Sequence, residues 1–155
     1  MDMILKLING LFDKNDKAAY KCLKELEYAS EQDSQVYKFF DSFAEMIDSD
    51  NSYIRTRGLL LISANAKWDS DYKIDEIIDK ILSHIADEKP ITARQCIKML
   101  PRIAKHKPEL VDDIIAALRK ANPRRYPYSM QSLIDNDIID ALKEISNISK
   151  KESTC

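Results

Sequence analysis

Apolar side chains recur along this 155-residue chain at helical spacing, and the whole pattern returns after about 37 residues. Ile74, Ile77, Ile78 and Ile81 come back as Val111, Ile114, Ile115 and Leu118. One step earlier the same set reads Val36, Phe39, Phe40 and Phe43. The polar positions repeat more loosely. Asp50-Asn51-Ser52-Tyr53-Ile54-Arg55-Thr56-Arg57 is echoed by Asp87-Glu88-Lys89-Pro90-Ile91-Thr92-Ala93-Arg94. A period of this size belongs to stacked helical pairs, none of which can bury its apolar face without neighbours.

Eight helical segments can be read from the pattern. The first is Met3–Phe12, the second Asp16–Ser30 with Ala19, Leu23 and Leu26 on its inner stripe, and the third Ser34–Asp48. The fourth, Ser52–Ala66, holds Leu59-Leu60-Leu61-Ile62 in succession and is apolar almost all round. That is expected of a helix with neighbours on several sides, with Leu60 central to its buried part. Gly58 inside it costs about 1 kcal/mol relative to Ala, which close approach of a neighbouring helix would justify. The fifth segment runs from after Asp71 to Ile85. The sixth opens with Pro90 in its first turn and carries Pro101, which should kink it or end it early. The seventh is Pro108–Ala121 and the eighth Ser129–Ile148. Together they make a single domain over residues 1–149, followed by a flexible tail over 150–155.

Composition narrows the class. Two glycines leave little room for tight hairpins, and no strand pattern competes with the helices. Charged residues of mixed sign make up 32% of the chain, which suits a soluble globular protein. No apolar run approaches the roughly 20 residues of a membrane span, and Met1-Asp2-Met3-Ile4-Leu5-Lys6 does not read as a secretory signal. Cys22 and Cys96 fall beside apolar positions, and Cys155 lies in the polar tail, where exposure is expected. Their spacing gives no disulfide framework, so the cytoplasm is the expected compartment.

The signature Asp50…Ile54-Arg55…Gly58 followed by Leu61-Ile62 resembles the HEAT repeat, in which an acidic residue precedes a Val/Ile-Arg pair and a small residue. Asp87…Ile91…Arg94 is a degenerate copy, with Thr92 at the usual Arg position. The resemblance covers residues 13–148 as three pairs and an end helix, with the first helix as a cap. It implies an all-α fold, a HEAT/ARM-like α-solenoid of stacked antiparallel helix pairs wound into a right-handed superhelix. The run from Arg55-Thr56-Arg57-Gly58 to Asn65-Ala66-Lys67-Trp68-Asp69 also looks like a group of short, stand-alone bacterial HEAT-like proteins. Some of these carry an iron–sulfur assembly label (SufBD), although two well-separated internal cysteines offer no cluster-ligand spacing here.

Candidate chemistry is sparse. Arg57 and Arg94 recur with the repeat, which favours a structural role: Asp50 and Asp87 capping helix N-termini, each arginine bridging to an acidic group of an adjacent repeat. The other reading is a groove of arginines for acidic ligands. Arg55 does not recur and is the arginine expected to be open to a ligand. Trp68, the single tryptophan, either anchors a partner or staples one helix to the next. HEAT-like DNA glycosylases use Trp and Asp around an extruded base, but this chain is shorter and shows no aromatic cage. His84 and His106 have no partners at zinc spacing, so no metal is expected. No phosphate loop and no nucleophile motif is visible, so neither cofactor nor catalysis is expected.

Charge is unevenly distributed. Residues 1–50 hold 6 basic and 11 acidic side chains, a net of −5, whereas residues 89–128 hold 10 basic and 3 acidic, a net of +7. Arg102, Lys105, His106 and Lys107 gather at one end of the seventh segment. Lys89, Arg119, Lys120, Arg124 and Arg125 gather at the other, with Tyr126 and Tyr128 beside them. Cations follow helix C-termini whatever the function, because the helix dipole favours them there. The pattern fits a non-enzymatic module that binds a protein or peptide, away from membranes. The alternative is a nucleic-acid-associated protein using the basic C-terminal half.

Overall fold

The computed structural model describes residues 2–153, with the side chains of 149 and 151–153 left aside. Among the described residues every regular element is helical. The chain divides between Glu76 and Ile77 into two compact units.

In the first unit, α1 (Met3–Gly10) starts from Asp2, whose carboxylate accepts the Ile4 N–H at 3.1 Å. Asn15 caps α2 (Asp16–Gln32) in the same way, accepting from Lys17 and Ala18. A 3-10 turn, Val36–Phe39, leads into α3 (Phe40–Met46). Next come α4 (Ser52–Ala64), a 3-10 turn at Ala66–Trp68 and the short α5 (Lys73–Glu76). Helix α1 packs on α2, α3 on α4, and α2 on α4. Ile4 and Ile8 of α1, Leu23 and Leu26 of α2, and Phe40 and Phe43 of α3 are buried with Leu59, Leu61 and Ile62 of α4.

Leu60 is not part of that core. It is only half-buried, while its neighbours on both sides are fully enclosed. An unbroken apolar run cannot say which side of its helix faces outward. Both glycines lie where helices meet closely. A Cβ on Gly10 would overlap the Cys22 sulfur. One on Gly58 would stand 2.8 Å from Met46 Cβ and 2.9 Å from the Phe43 carbonyl oxygen. Gly58→Ala therefore sets roughly 0.5–1 kcal/mol of helix propensity against overpacking of about 1–3 kcal/mol. We expect the urea midpoint to fall; a stabilised variant would mean that α3 and α4 stand further apart.

The second unit contains α6 (Ile78–Ser83), a 3-10 turn at His84–Ala86, α7 (Pro90–His106), a 3-10 turn at Pro108–Leu110 and α8 (Val111–Lys120). A 3-10 turn at Pro123–Arg125 precedes α9 (Tyr128–Ser153), which passes the expected end at Ile148. Thr154 and Cys155, with the expected exposure of that thiol, lie outside the described residues. Helix α7 packs on α9, and α8 packs on both. Cys96, Ile97, Leu100 and Ile103 of α7 are buried with Ile114 and Leu118 of α8 and Ile134, Ala141 and Ile145 of α9.

The expected third and seventh segments each begin with a 3-10 turn before the α-helix, and two further differences lie inside the expected fifth and sixth segments. The segment expected over 71–85 is broken at Ile77, whose ψ of 16° departs from a helix. Helix α7 does not end early at Pro101 but continues to His106. Met99, Leu100, Pro101, Ile103 and Ala104 are all buried, so packing holds the turn that the missing N–H weakens. The repeated apolar set also shifts. Val36, Phe40 and Phe43 are buried, as are Ile74, Ile78 and Ile81, but the third copy buries Leu110, Ile114 and Leu118. Leu110 stands where the earlier copies have Gln35 and Lys73, so an apolar residue there turns that helix by about one position.

Candidate interaction surface

Two buried arginines of the first unit donate to backbone carbonyls at a helix end and in a turn, groups that the helices themselves leave without donors. Arg57 is 7% exposed. Its Nη1 donates to the Leu11 carbonyl just past α1 at 2.9 Å, and Nη2 reaches Asp16 Oδ1 at 3.4 Å. It thereby ties α4 to the connection between α1 and α2. Arg55 is not the open arginine that the repeat pattern suggested. It is 6% exposed, and its Nη1 donates to the carbonyls of Ser49 and Asp50 at 3.0 and 3.1 Å, in the turn before its own helix. Asp50 does not cap α4. The cap is Asn51, whose side chain accepts from Tyr53 and Ile54, and Asp50 is exposed.

Trp68 belongs to the same pattern. Its Nε1 donates to the Ser30 carbonyl in the last turn of α2 at 2.7 Å, and the neighbouring Lys67 Nζ reaches the Glu31 carbonyl at 2.8 Å. The half-buried ring lies 5.1 Å below the Lys67 ammonium, so Trp68 fastens the end of α4 to the end of α2. Close by, Asp69 accepts from the backbone of Lys73 and Ile74 at 2.9 Å each and from the Tyr37 hydroxyl at 2.6 Å. This carboxylate caps α5 and pins the Val36–Phe39 turn to it. Burial, then the bond to Asp69, pushes the Tyr37 hydroxyl pKa upward.

In the second unit Arg94 grips Asp137 of α9 with two bonds, Nε to Oδ2 at 2.6 Å and Nη2 to Oδ1 at 3.3 Å. The bond to Asp137 raises the Arg94 pKa further above its ordinary value. Asp87 is 7% exposed in the turn before α7; it accepts from the Lys89 N–H at 2.9 Å and lies 2.8 Å from His84 Nδ1. The N-cap position of α7 itself is Lys89, without a side-chain cap. Tyr126 is 6% exposed, and its hydroxyl donates to the carbonyls of Asp87 and Ile85. It is therefore not the stacking surface expected of it. Arg125 covers its ring at 5.8 Å, while Tyr128 stays exposed.

Grooves between helices open at the surface of this unit. One, of about 500 Å³, lies between α6 and α8, and its lining mixes Lys120 and Arg125 with Asp79 and Asp113. Lys89, Arg119 and Arg124 are exposed but do not line it. Another, of about 390 Å³, lies between α7 and α9. Lys98, Arg102 and Lys105 form its α7 wall, and Glu144, Asn147 and Ile148 its α9 wall.

A family model for the HEAT repeat domain matches residues 2–142. The chain belongs to the HEAT repeat domain family. No curated protein and no solved structure gives a match. HEAT repeats generally act as scaffolds for protein interactions. Here the HEAT arginines and their neighbours bond inward, and the charged side chains that reach solvent belong to helix faces and turns between repeats. Among the described residues no group of three His, Cys, Asp or Glu side chains could hold a metal ion, and no helix is long and apolar enough to cross a membrane.

Sequence reasoning missed Asp69, Tyr37 and the α7–α9 groove. The carbonyl acceptors of Arg55, Arg57 and Trp68 have no sequence signal, since every residue carries one. The groove did have one: Lys98, Arg102 and Lys105 stand at i, i+4 and i+7 along one helix.

Proposed function

We propose that the chain is a non-enzymatic interaction module that holds a protein or peptide partner against the exposed side chains of its helices. One observation carries this reading. The buried Arg55, Arg57, Asp69, Asp87 and Tyr126 and the half-buried Arg94 bond inside the fold, whereas surface grooves between helices are lined by exposed lysines and an exposed arginine. The cytoplasm suits Cys22 and Cys96, which are free thiols; Cys96 is buried, and burial pushes its pKa up and lowers its reactivity. Kinship with short stand-alone bacterial HEAT-like proteins is part of the same reading. Their iron–sulfur label adds no role to this reading, because among the described residues no group of His, Cys, Asp or Glu offers a cluster-ligand set.

A nucleic-acid partner is the weaker alternative. It keeps the cations Lys89, Arg119, Lys120, Arg124 and Arg125, but of its two aromatics only Tyr128 is exposed. Selection of displayed peptides on the full chain separates the two readings. We expect enrichment of a shared motif whose binding persists at about 150 mM salt, where the Debye length is roughly 8 Å. No enrichment, together with retention of oligonucleotides that falls steeply with salt, would favour nucleic acid.

A further inference from the structure

The groove between α7 and α9 combines a row of α7 cations with an apolar floor. Lys98, Arg102 and Lys105 follow one face of α7 over about 10 Å at 1.5 Å per residue. Lys98 and Lys105 are exposed. Between them the buried Pro101 ring reaches the groove, and Ile148 of α9 faces it, so the floor takes an apolar side chain. Asn147 adds an amide that can donate and accept, which suits a peptide backbone. Among the described residues that line it, Glu144 is acidic, whereas Lys98 and Lys105 are exposed cations.

We propose that this groove binds a short acidic peptide segment with an apolar residue flanked by carboxylates, an assignment that rests on the interaction-module reading. The length of the cation row matches about three extended residues at 3.3 Å each. Carboxylates at the two ends of that row meet the exposed Lys98 and Lys105, and the apolar residue sits against Pro101 and Ile148. A nucleic-acid strand fits less well, because the lining contains no aromatic ring on which a base could stack. The α6–α8 groove is the poorer candidate, since Asp79 and Asp113 offset Lys120 and Arg125 there.

The test uses the full chain and a fluorescein-labelled eight-residue peptide with glutamates around a central leucine, followed by anisotropy. Two further probes are a peptide with lysine in place of glutamate and an octathymidylate. The acidic peptide is expected to bind and the lysine peptide not to. K98E/K105E together should weaken the acidic peptide at least about tenfold with only a small fall in melting temperature, because both side chains are exposed and only Lys105 lies in the last turn of α7. K89E/R124E makes the same charge change outside the groove and should alter affinity less than about twofold. Equal losses in the two double variants would overturn the site in favour of unspecific charge attraction. Tighter binding of octathymidylate than of the acidic peptide would overturn the choice of partner. If peptides selected on the full chain bind but ignore K98E/K105E, the groove assignment falls and the module reading stands. If no peptide binds at all, both fall.

Discussion

Leu61→Ala should lower the stability of the protein by about 2–5 kcal/mol, the range for emptying a fully enclosed leucine site. Leu61 is 0% exposed in α4, which packs against both α2 and α3, so the surroundings have little room to collapse into the cavity. Leu60→Ala, one residue earlier and half-buried, should cost less than half as much. Denaturant midpoints for the two variants give the comparison. Equal losses would mean that α4 is turned about its axis by roughly one residue relative to the arrangement described.

Arg94→Ala is expected to have the second large effect. It leaves the Asp137 carboxylate, with only 8% of its side chain exposed, without its two guanidinium bonds. Breaking a buried pair from one side costs about 3–5 kcal/mol. Because the Arg94 side chain is 24% exposed, water can reach the site, and the lower end of that range applies. Arg94→Ala with Asp137→Ala should recover part of the loss, since no unpaired charge remains. Urea unfolding of the single and double variants decides it. A single-variant loss under about 1 kcal/mol, or a double variant worse than the sum, would rule out the pair as the tie between α7 and α9.

Much of the fold was legible because apolar periodicity reports burial directly. The repeated isoleucine and phenylalanine sets gave the helices, and Asp16, Ser52 and Pro90 began theirs at the residues expected from the sequence. Legibility ended where periodicity is silent. Four successive apolar residues at 59–62 concealed the half-buried Leu60. The break at Ile77 and the passage through Pro101 depend on packing, which overrides local preference. The site was harder to read than the fold. Arg55, judged open because it does not recur, is buried against two backbone carbonyls, and Tyr126, grouped with surface cations, bonds to the turn before α7. A side chain that serves a carbonyl leaves no complementary residue in the sequence to betray it. Lys98 stands apart from other cations along the chain and comes beside Arg102 and Lys105 only on the face of a helix.

The central claim is that the repeat arginines hold the structure while exposed groove side chains hold the partner. Two-dimensional NMR of backbone amides and arginine Nε–H groups, during titration with a peptide selected on the full chain, tests it most directly. The account predicts shifts at exposed groove positions, with the Nε–H signals of Arg55 and Arg57 unmoved. Large shifts centred on Arg55 and Arg57 would contradict it and make the repeat arginines the ligand groove.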